Sequence, residues 1–128
     1  MKLHEHPRFT FSKSDYHGNV TIWSEGEVIK RMGEDMGDYL SGEKIPKAIE
    51  WVKLIRTFES LGVLNGTFED ELSTEPGAID YKLTVEYLGT SNSYSGKGKA
   101  DFQYSKKELD ELSPFNQLDR IFSEFSGW

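Results

Sequence analysis

The three histidines are the residues best suited to bind a metal ion. His4 and His6 are separated by one residue, so on an extended strand both imidazoles point to the same side, and His17 could complete a zinc site. Two of the three lie near the N-terminus, where chains commonly fray, and their spacing does not identify an acidic residue as a further ligand. Exposed histidines are therefore the favoured interpretation, and we expect no bound metal or other cofactor.

The glycine-containing segment 89–98 superficially resembles a phosphate-binding loop. A P-loop has four residues between its first glycine and the Gly-Lys pair, followed by Ser or Thr and then a helix. Here six residues separate Gly89 from Gly96-Lys97, and another glycine follows. The pattern predicts a flexible hairpin connection, with a mobile binding loop that carries Tyr94 and Lys97 as the alternative.

Catalysis by paired carboxylates or a nucleophile has little support in the sequence. Glu25 and Glu27 could project together from a hairpin, as paired acids do in glycosidases, but their spacing alone places them in no pocket. The chain has no cysteine, no Gly-x-Ser-x-Gly motif and no calcium-loop pattern. The sequence therefore favours a non-enzymatic protein and identifies no catalytic residue.

The negative charge is concentrated in two segments. Of the 22 acidic residues in this 128-residue chain, nine lie in residues 34–43 and 65–81, which contain no Lys or Arg. The remaining 13 acidic and 15 basic residues carry no negative surplus, so these segments account for the net charge of −7. This distribution argues against nucleic-acid binding, which needs a basic patch, whereas clustered carboxylates speed the encounter with a basic protein.

Apolar side chains accompany both acidic segments. Tyr39 and Leu40 lie beside the acidic residues of the first segment, and Phe68 and Leu72 belong to the second. Protein interfaces combine aromatic or aliphatic anchors with a polar rim, although acidic loops can also serve only to keep a small protein in solution. We expect both segments to converge into one partner-binding surface formed by Glu34, Asp35, Asp38, Tyr39, Phe68, Glu69, Asp70, Glu71 and Glu75.

Alternating apolar residues predict the strands that position these groups. Residues 79–87 and 100–104 alternate between apolar and polar side chains, and residues 8–32 predict a three-stranded meander. Residues 33–43 contain three glycines and four acids. They show neither the two-residue period of a strand nor the 3.6-residue period of a helix, and are predicted to form a loop. The Asn65-Gly66 pair indicates a hairpin or the entry to a strand.

Two helical regions are predicted from apolar spacing and capping residues. The first begins near Pro46 and ends at Gly62, and its expected buried face is Ala48, Trp51, Val52, Ile55, Phe58 and Leu61. The second begins with a capping box at residues 105–108 and restarts after Ser113. The expected buried face of this last piece is Phe115, Leu118, Ile121, Phe122 and Phe125.

These elements predict a single domain, residues 1–128, of the α+β class. Its antiparallel sheet of about five strands contains an N-terminal meander and a later hairpin, and the two helical regions pack on one face. The sequence shows neither a signal-peptide pattern nor an apolar run of membrane-spanning length. We therefore expect a cytoplasmic protein, monomeric or weakly homodimeric, that contacts neither membranes nor nucleic acid directly.

In its element order and its two acidic segments, the chain resembles small bacterial immunity and inhibitor proteins. The resemblance covers architecture and no residue motif. It implies an antitoxin-like inhibitor whose acidic surface blocks a basic partner, either a toxin or a nucleic-acid-processing enzyme such as a nuclease. One alternative is a small-ligand-binding protein or enzyme with a cavity between the sheet and the helices, and another is an accessory subunit that self-associates through a strand edge.

Overall fold

One antiparallel sheet and two helical stretches make up the described part of the chain. The computed structural model describes residues 6–15, 18–35, 38–68, 79–98 and 117–122. The elements are β1 (Arg8–Asp15), β2 (Gly18–Glu25), β3 (Val28–Asp35), β4 (Asp38–Lys44), α1 (Ala48–Leu61), β5 (Ile79–Tyr87) and β6 (Thr90–Gly98). Residues 117–122 are also helical. The architecture agrees with the predicted α+β class, but the sheet has six strands instead of about five.

The strands are hydrogen-bonded in the order β4-β3-β2-β1-β5-β6. Strands β1 to β4 form a meander, and the β5–β6 hairpin joins it through β1. Phe9 and Phe11 of β1 lie opposite Val85 and Leu83 of β5, and all four side chains are buried. Because side chains alternate between the two faces of a strand, one face of the sheet is apolar and the other, called here the outer face, is mainly polar.

The acidic segment 33–43 forms most of the β3–β4 hairpin, so the prediction of a loop is wrong. Strand β3 extends to Asp35 and β4 begins at Asp38, and the backbones of these two residues pair. Gly33 is buried, and a Cβ atom at this position would lie only 2.8 Å from the Cα of Val20 in β2. This glycine therefore permits close contact between two strand backbones and does not mark a break in the sheet.

Residues 90–98 form strand β6, so the prediction of a flexible connection is also wrong. Tyr87 pairs with Thr90, which leaves Leu88 and Gly89 as a two-residue turn. Tyr94 is buried. The residues on the outer face of this strand are the exposed Ser91, Ser93, Ser95 and Lys97. The predicted return strand, residues 100–104, lies outside the described residues.

Helix α1 begins and ends close to the predicted positions. The backbone N–H of Lys47 donates a hydrogen bond of 3.0 Å to the Glu50 carboxylate. At the other end Gly62 adopts the left-handed conformation, with φ of 78°, as a C-terminal cap. The buried face differs in part from the prediction, because Leu54 is fully buried whereas Val52 is 40% exposed.

Both helical stretches cover the apolar face of the sheet. The ring of Phe58 in α1 meets Phe9 edge-on, with centroids 6.2 Å apart, and Phe122 stacks on Phe11 at 4.5 Å. Leu118 and Ile121 are buried as expected. These contacts agree with the predicted packing of helices on one face. The expected positions Phe115 and Phe125, and the capping box at residues 105–108, fall outside the described ranges.

The Asn65-Gly66 pair belongs to a turn that follows α1 and does not connect two strands. The side chain of Asn65 accepts a hydrogen bond from the backbone N–H of Thr67 at 3.1 Å. The backbone N–H groups of Thr67 and Phe68 both donate to the carbonyl of Gly62 at 3.0 Å. The hairpin prediction is therefore wrong at this position. None of the helices in the described ranges has the length and apolar character needed to cross a membrane.

Candidate partner-binding surface

The first acidic segment lies at one edge of the sheet. Strand β4 is the terminal strand, so within the described structure it pairs with β3 alone. The outer face of this edge hairpin presents three cross-strand pairs, which are Glu34 with Tyr39, Met32 with Ser41, and Lys30 with Glu43. Opposed residues in an antiparallel pair have Cβ atoms about 5 Å apart. The edge hairpin therefore carries acidic, aromatic and thioether groups side by side.

Glu34 and Tyr39 form an accessible pair on this hairpin. Tyr39 is 62% exposed, Glu34 is exposed, and the neighbouring Met32 is 45% exposed. No basic side chain among the described residues forms an ion pair with Glu34. An exposed aromatic ring beside an unneutralised carboxylate offers both an apolar anchor and a site for a cationic group.

The charge at the other end of the edge hairpin is partly neutralised. The ammonium group of Lys30 lies 2.9 Å from the carboxylate of Glu25, and the indole N–H of Trp23 donates to the same carboxylate at 3.1 Å. Chiefly through the hydrogen bond from Lys30, these contacts hold the pKa of Glu25 below its ordinary value. The pKa of Lys30 is raised in turn, mainly by Glu25 with a smaller effect of Glu43. The negative potential of the hairpin is therefore strongest near Glu34.

The described ends of the second acidic segment lie in different environments. Phe68 is only 6% exposed, and its ring packs against Tyr94 at 5.1 Å, so it belongs to the core and does not form an exposed anchor. Asp80 is exposed on the outer face of β5, and the Nζ of Lys97 lies 3.9 Å from its carboxylate. Residues 69–78 between them lie outside the described part of the chain.

Register places Asp80 and Glu34 at the same end of the sheet. Glu34 pairs with Asn19, Ser14 of β1 also pairs with Asn19, and Asp80 pairs with Ser14. The two carboxylates therefore share one cross-strand row on the outer face, three strand positions apart, or about 14 Å at the usual strand spacing. Strand β5 thus starts at the end of the sheet where the β3–β4 hairpin turns.

Only part of the predicted surface can be assembled from the described residues. Glu34 and Tyr39 are adjacent, and the backbones of Asp35 and Asp38 pair across the hairpin. Phe68 is separated from them because it packs against Tyr94 in the strand at the opposite edge. The predicted residues that fall outside the described ranges are Glu69, Asp70, Glu71 and Glu75.

Two of the residues considered for catalysis or metal binding, His6 and Glu25, have structural partners. The ring of His6 stacks on Trp51 with centroids 4.2 Å apart, whereas His4 and His17 are not among the described residues. Glu25 is held by Lys30 and Trp23, as set out above. In the ranges that the structure covers, no group of three or more His, Asp or Glu side chains could hold a metal ion.

Sequence reasoning missed Met32, Ser41 and Glu43 as neighbours of Glu34 and Tyr39. The reason is that residues 33–43 were predicted to be a loop, in which no cross-strand partner is defined. The available signal was the alternation of Tyr39, Ser41 and Glu43 with Leu40 and Gly42, which fits the two-residue period of a strand. Comparison with protein-family models, curated proteins and solved structures finds no significant match to this chain.

Proposed function

We propose that the protein is a non-enzymatic inhibitor or immunity-type protein that blocks a basic partner, such as a nuclease or another basic toxin. The observation that supports this most directly is the pairing of Glu34 with the 62% exposed Tyr39 on the edge hairpin. Carboxylates held on a rigid strand can occupy the positions of phosphate groups in a nucleic-acid-binding groove. The aromatic ring beside them supplies contact area at a low cost in conformational entropy.

Charge contributes mainly to the rate and selectivity of such an encounter. The net charge of −7 attracts a basic partner over a distance of about one Debye length, roughly 8 Å at physiological ionic strength. The exposed carboxylate of Glu34 beside Tyr39 then favours a cationic groove and disfavours an acidic one. Affinity must come from apolar side chains that the partner buries, so the exposed Tyr39 and Met32 are assigned the larger part of the binding energy.

The packing between the sheet and the helices favours this function over a ligand cavity at that place. The buried side chains Phe9, Phe11, Leu54, Phe58 and Phe122 meet between the apolar face of the sheet and the two helical stretches. Leu54, Phe58 and Phe122 have no exposed surface. A binding function at the surface agrees better with this filled interior than an enclosed substrate site.

The proposal is tested with immobilised full-length protein and the lysate of its native host. The bound basic protein is identified by mass spectrometry and purified. The dissociation constant of its complex with the wild-type protein is then compared with those of its complexes with three single variants. We expect Tyr39→Ala and Glu34→Lys each to weaken binding by roughly tenfold or more, since they alter the anchor and the adjacent charge. Raising the salt concentration should weaken the wild-type complex as well.

Glu86→Lys is the matched control. Glu86 is an exposed carboxylate on the outer face of β5, and its reversal changes the net charge by the same amount as Glu34→Lys. It lies more than about 20 Å from Glu34, because it is near the other end of the sheet. The proposal is wrong if no basic protein is captured, or if the edge-hairpin variants bind as tightly as Glu86→Lys.

A further inference from the structure

A cleft lies at the end of the sheet opposite Glu34, between the β5–β6 turn and the turn that follows α1. Its volume is about 310 Å³, at the lower end of the range for small-molecule sites. The described residues that line it are Glu59, Leu64, Asn65, Tyr87, Leu88 and Thr90. Three of these side chains are apolar or aromatic, and one is a carboxylate. The cleft is distinct from the edge hairpin and shares no residue with it.

Leu88 at the mouth of the cleft adopts an unfavourable conformation. Its φ is 50°, in the left-handed region, and Gly89 beside it has φ of 82°. A two-residue turn with positive φ at both positions strongly prefers Asn, Asp or Gly at the first, because a larger side chain is strained there. Leu88 is also 65% exposed, so burial in the described structure does not offset this strain. A ligand that covers Leu88 would provide that compensation.

The opposite wall of the cleft is negatively polarised. Glu59 lies in the last turn of α1, where there is no Lys or Arg. The C-terminal end of a helix carries a partial negative charge, which adds to that of the carboxylate. Within the described residues, no cationic side chain forms an ion pair with Glu59. This wall therefore favours a cation.

The wall of the cleft formed by the end of α1 and the following turn is held in place by side chains from β6. The amide of Asn92 donates a hydrogen bond of 3.2 Å to the carbonyl of Leu64, and the hydroxyl of Tyr94 donates one of 2.6 Å to the carbonyl of Val63. The hydroxyl of Thr90 donates to the carbonyl of Tyr87 at 2.7 Å across the β5–β6 turn. Because both sides of the cleft are tied to β6, its shape exists before a ligand arrives.

We propose that this cleft binds a small organic cation, with an ammonium or guanidinium group attached to an apolar body. The cationic group is placed beside Glu59 and the C-terminal end of α1, and the apolar body lies between Leu64, Tyr87 and Leu88. The volume allows one aromatic ring or a short alkyl chain. The site is independent of the proposed inhibitor function, since no residue of the β3–β4 hairpin takes part in it.

The test uses 2-phenylethylammonium chloride as the probe and the ¹⁵N-labelled full-length protein. We expect saturable chemical-shift changes at the backbone amides of Asn65, Leu88, Gly89 and Thr90, with a dissociation constant on the order of millimolar for so small a ligand. The neutral analogue 2-phenylethanol, which has the same ring and chain length, should bind at least about threefold more weakly. Equal affinity for the amine and the alcohol would overturn the electrostatic assignment.

Variants separate a binding role from a structural one. Glu59→Gln should weaken the amine by roughly threefold to fivefold, whereas the control Glu86→Gln, which removes an equal charge from the outer face, should not. Leu88→Asn should also weaken binding by several fold through lost apolar contact, but raise the denaturant midpoint, because Asn tolerates positive φ. The proposal fails if the probe gives no saturable shifts at these amides, or if Glu59→Gln and Leu88→Asn bind it like the wild type.

Discussion

The Nζ atom of Lys13 lies 2.6 Å from Oδ1 of Asp119, which ties β1 to the helical residues 117–122. The two side chains are only 28% and 11% exposed. Removal of one partner therefore leaves the other charge in a poorly solvated position. Lys13→Met should lower the free energy of unfolding by about 2–4 kcal/mol, somewhat below the value for a fully buried pair.

Urea denaturation measures this loss, and a double variant identifies its cause. In Lys13→Met/Asp119→Leu both charged groups of the pair are replaced by apolar side chains, so we expect the double variant to recover at least about 1 kcal/mol relative to Lys13→Met. Additive losses in the two single variants would show that the pair contributes only through packing.

Gly62 and Gly89 have nearly the same backbone conformation, so alanine substitutions at the two positions distinguish backbone strain from steric conflict. Gly62 and Gly89 have φ of 78° and 82°, but a Cβ atom at Gly62 would collide with Thr67 and lie 2.9 Å from the backbone nitrogen of Phe68. Nothing lies within 4 Å at Gly89. Gly89→Ala should cost about 1 kcal/mol from its φ alone, and Gly62→Ala about 2 kcal/mol or more, in urea unfolding at constant pH. Equal losses would contradict the close contact at Gly62.

Glu50 should make stability depend on pH. Both of its oxygens are engaged, one by Lys44 at 2.8 Å and the other by the backbone N–H of Lys47 at 3.0 Å. The hydrogen bond from Lys44 is the main cause that lowers the pKa of Glu50 below 4.5 in the folded protein. The stabilisation is therefore complete above the unfolded-state pKa and is lost as the pH falls through the lower folded-state pKa.

The variant Glu50→Gln tests whether the stabilisation is lost in this direction, as the pH falls. At about pH 7 the variant should unfold with a free energy roughly 0.5–1 kcal/mol lower than the wild type, and the difference should shrink towards zero at about pH 2. Urea melts over this range measure it, with Glu86→Gln as a control for the loss of one exposed charge. A difference that is independent of pH would contradict the assignment.

The two aromatic residues expected at the partner surface should differ sharply in their effect on stability. Phe68→Ala should cost about 3–5 kcal/mol, because the side chain is 6% exposed and packs on Tyr94. Tyr39→Ala should change stability by no more than about 0.5 kcal/mol, since this residue is 62% exposed. Thermal or urea unfolding of both variants provides the measurement. Comparable losses would mean that Tyr39 is a core residue and not available to a partner.

The sequence predicts the elements that bury one face and misses those that do not. In β5 every second side chain from Ile79 to Val85 is buried, and α1 buries Trp51 and Phe58 at helical spacing. Strand β6 buries Tyr94 but otherwise contains only threonine, serine, asparagine, glycine and lysine, so it lacks the apolar alternation of a strand. An edge strand needs less apolar surface than a central one, and its composition resembles that of a loop.

The candidate surface is predictable in composition but not in geometry. Charge counting finds Glu34 and Tyr39, because acidic residues and aromatic anchors are visible in the sequence. It cannot separate the exposed Tyr39 from the buried Phe68, since their burial depends on contacts between distant segments, such as that of Phe68 with Tyr94. The shared row of Glu34 and Asp80 likewise depends on the pairing of β1 with β5.

The position of β1 between β2 and β5 has a consequence for the nascent chain. Until the ribosome has released β5, the meander has no partner for one edge of β1, and Phe9 and Phe11 lack the cover of Leu83 and Val85. Closing a connection of this length is slow on entropic grounds, and an unpaired edge beside apolar side chains promotes association with other chains. The interval between synthesis of the meander and arrival of β5 is therefore a stage at which the chain is open to association with other chains.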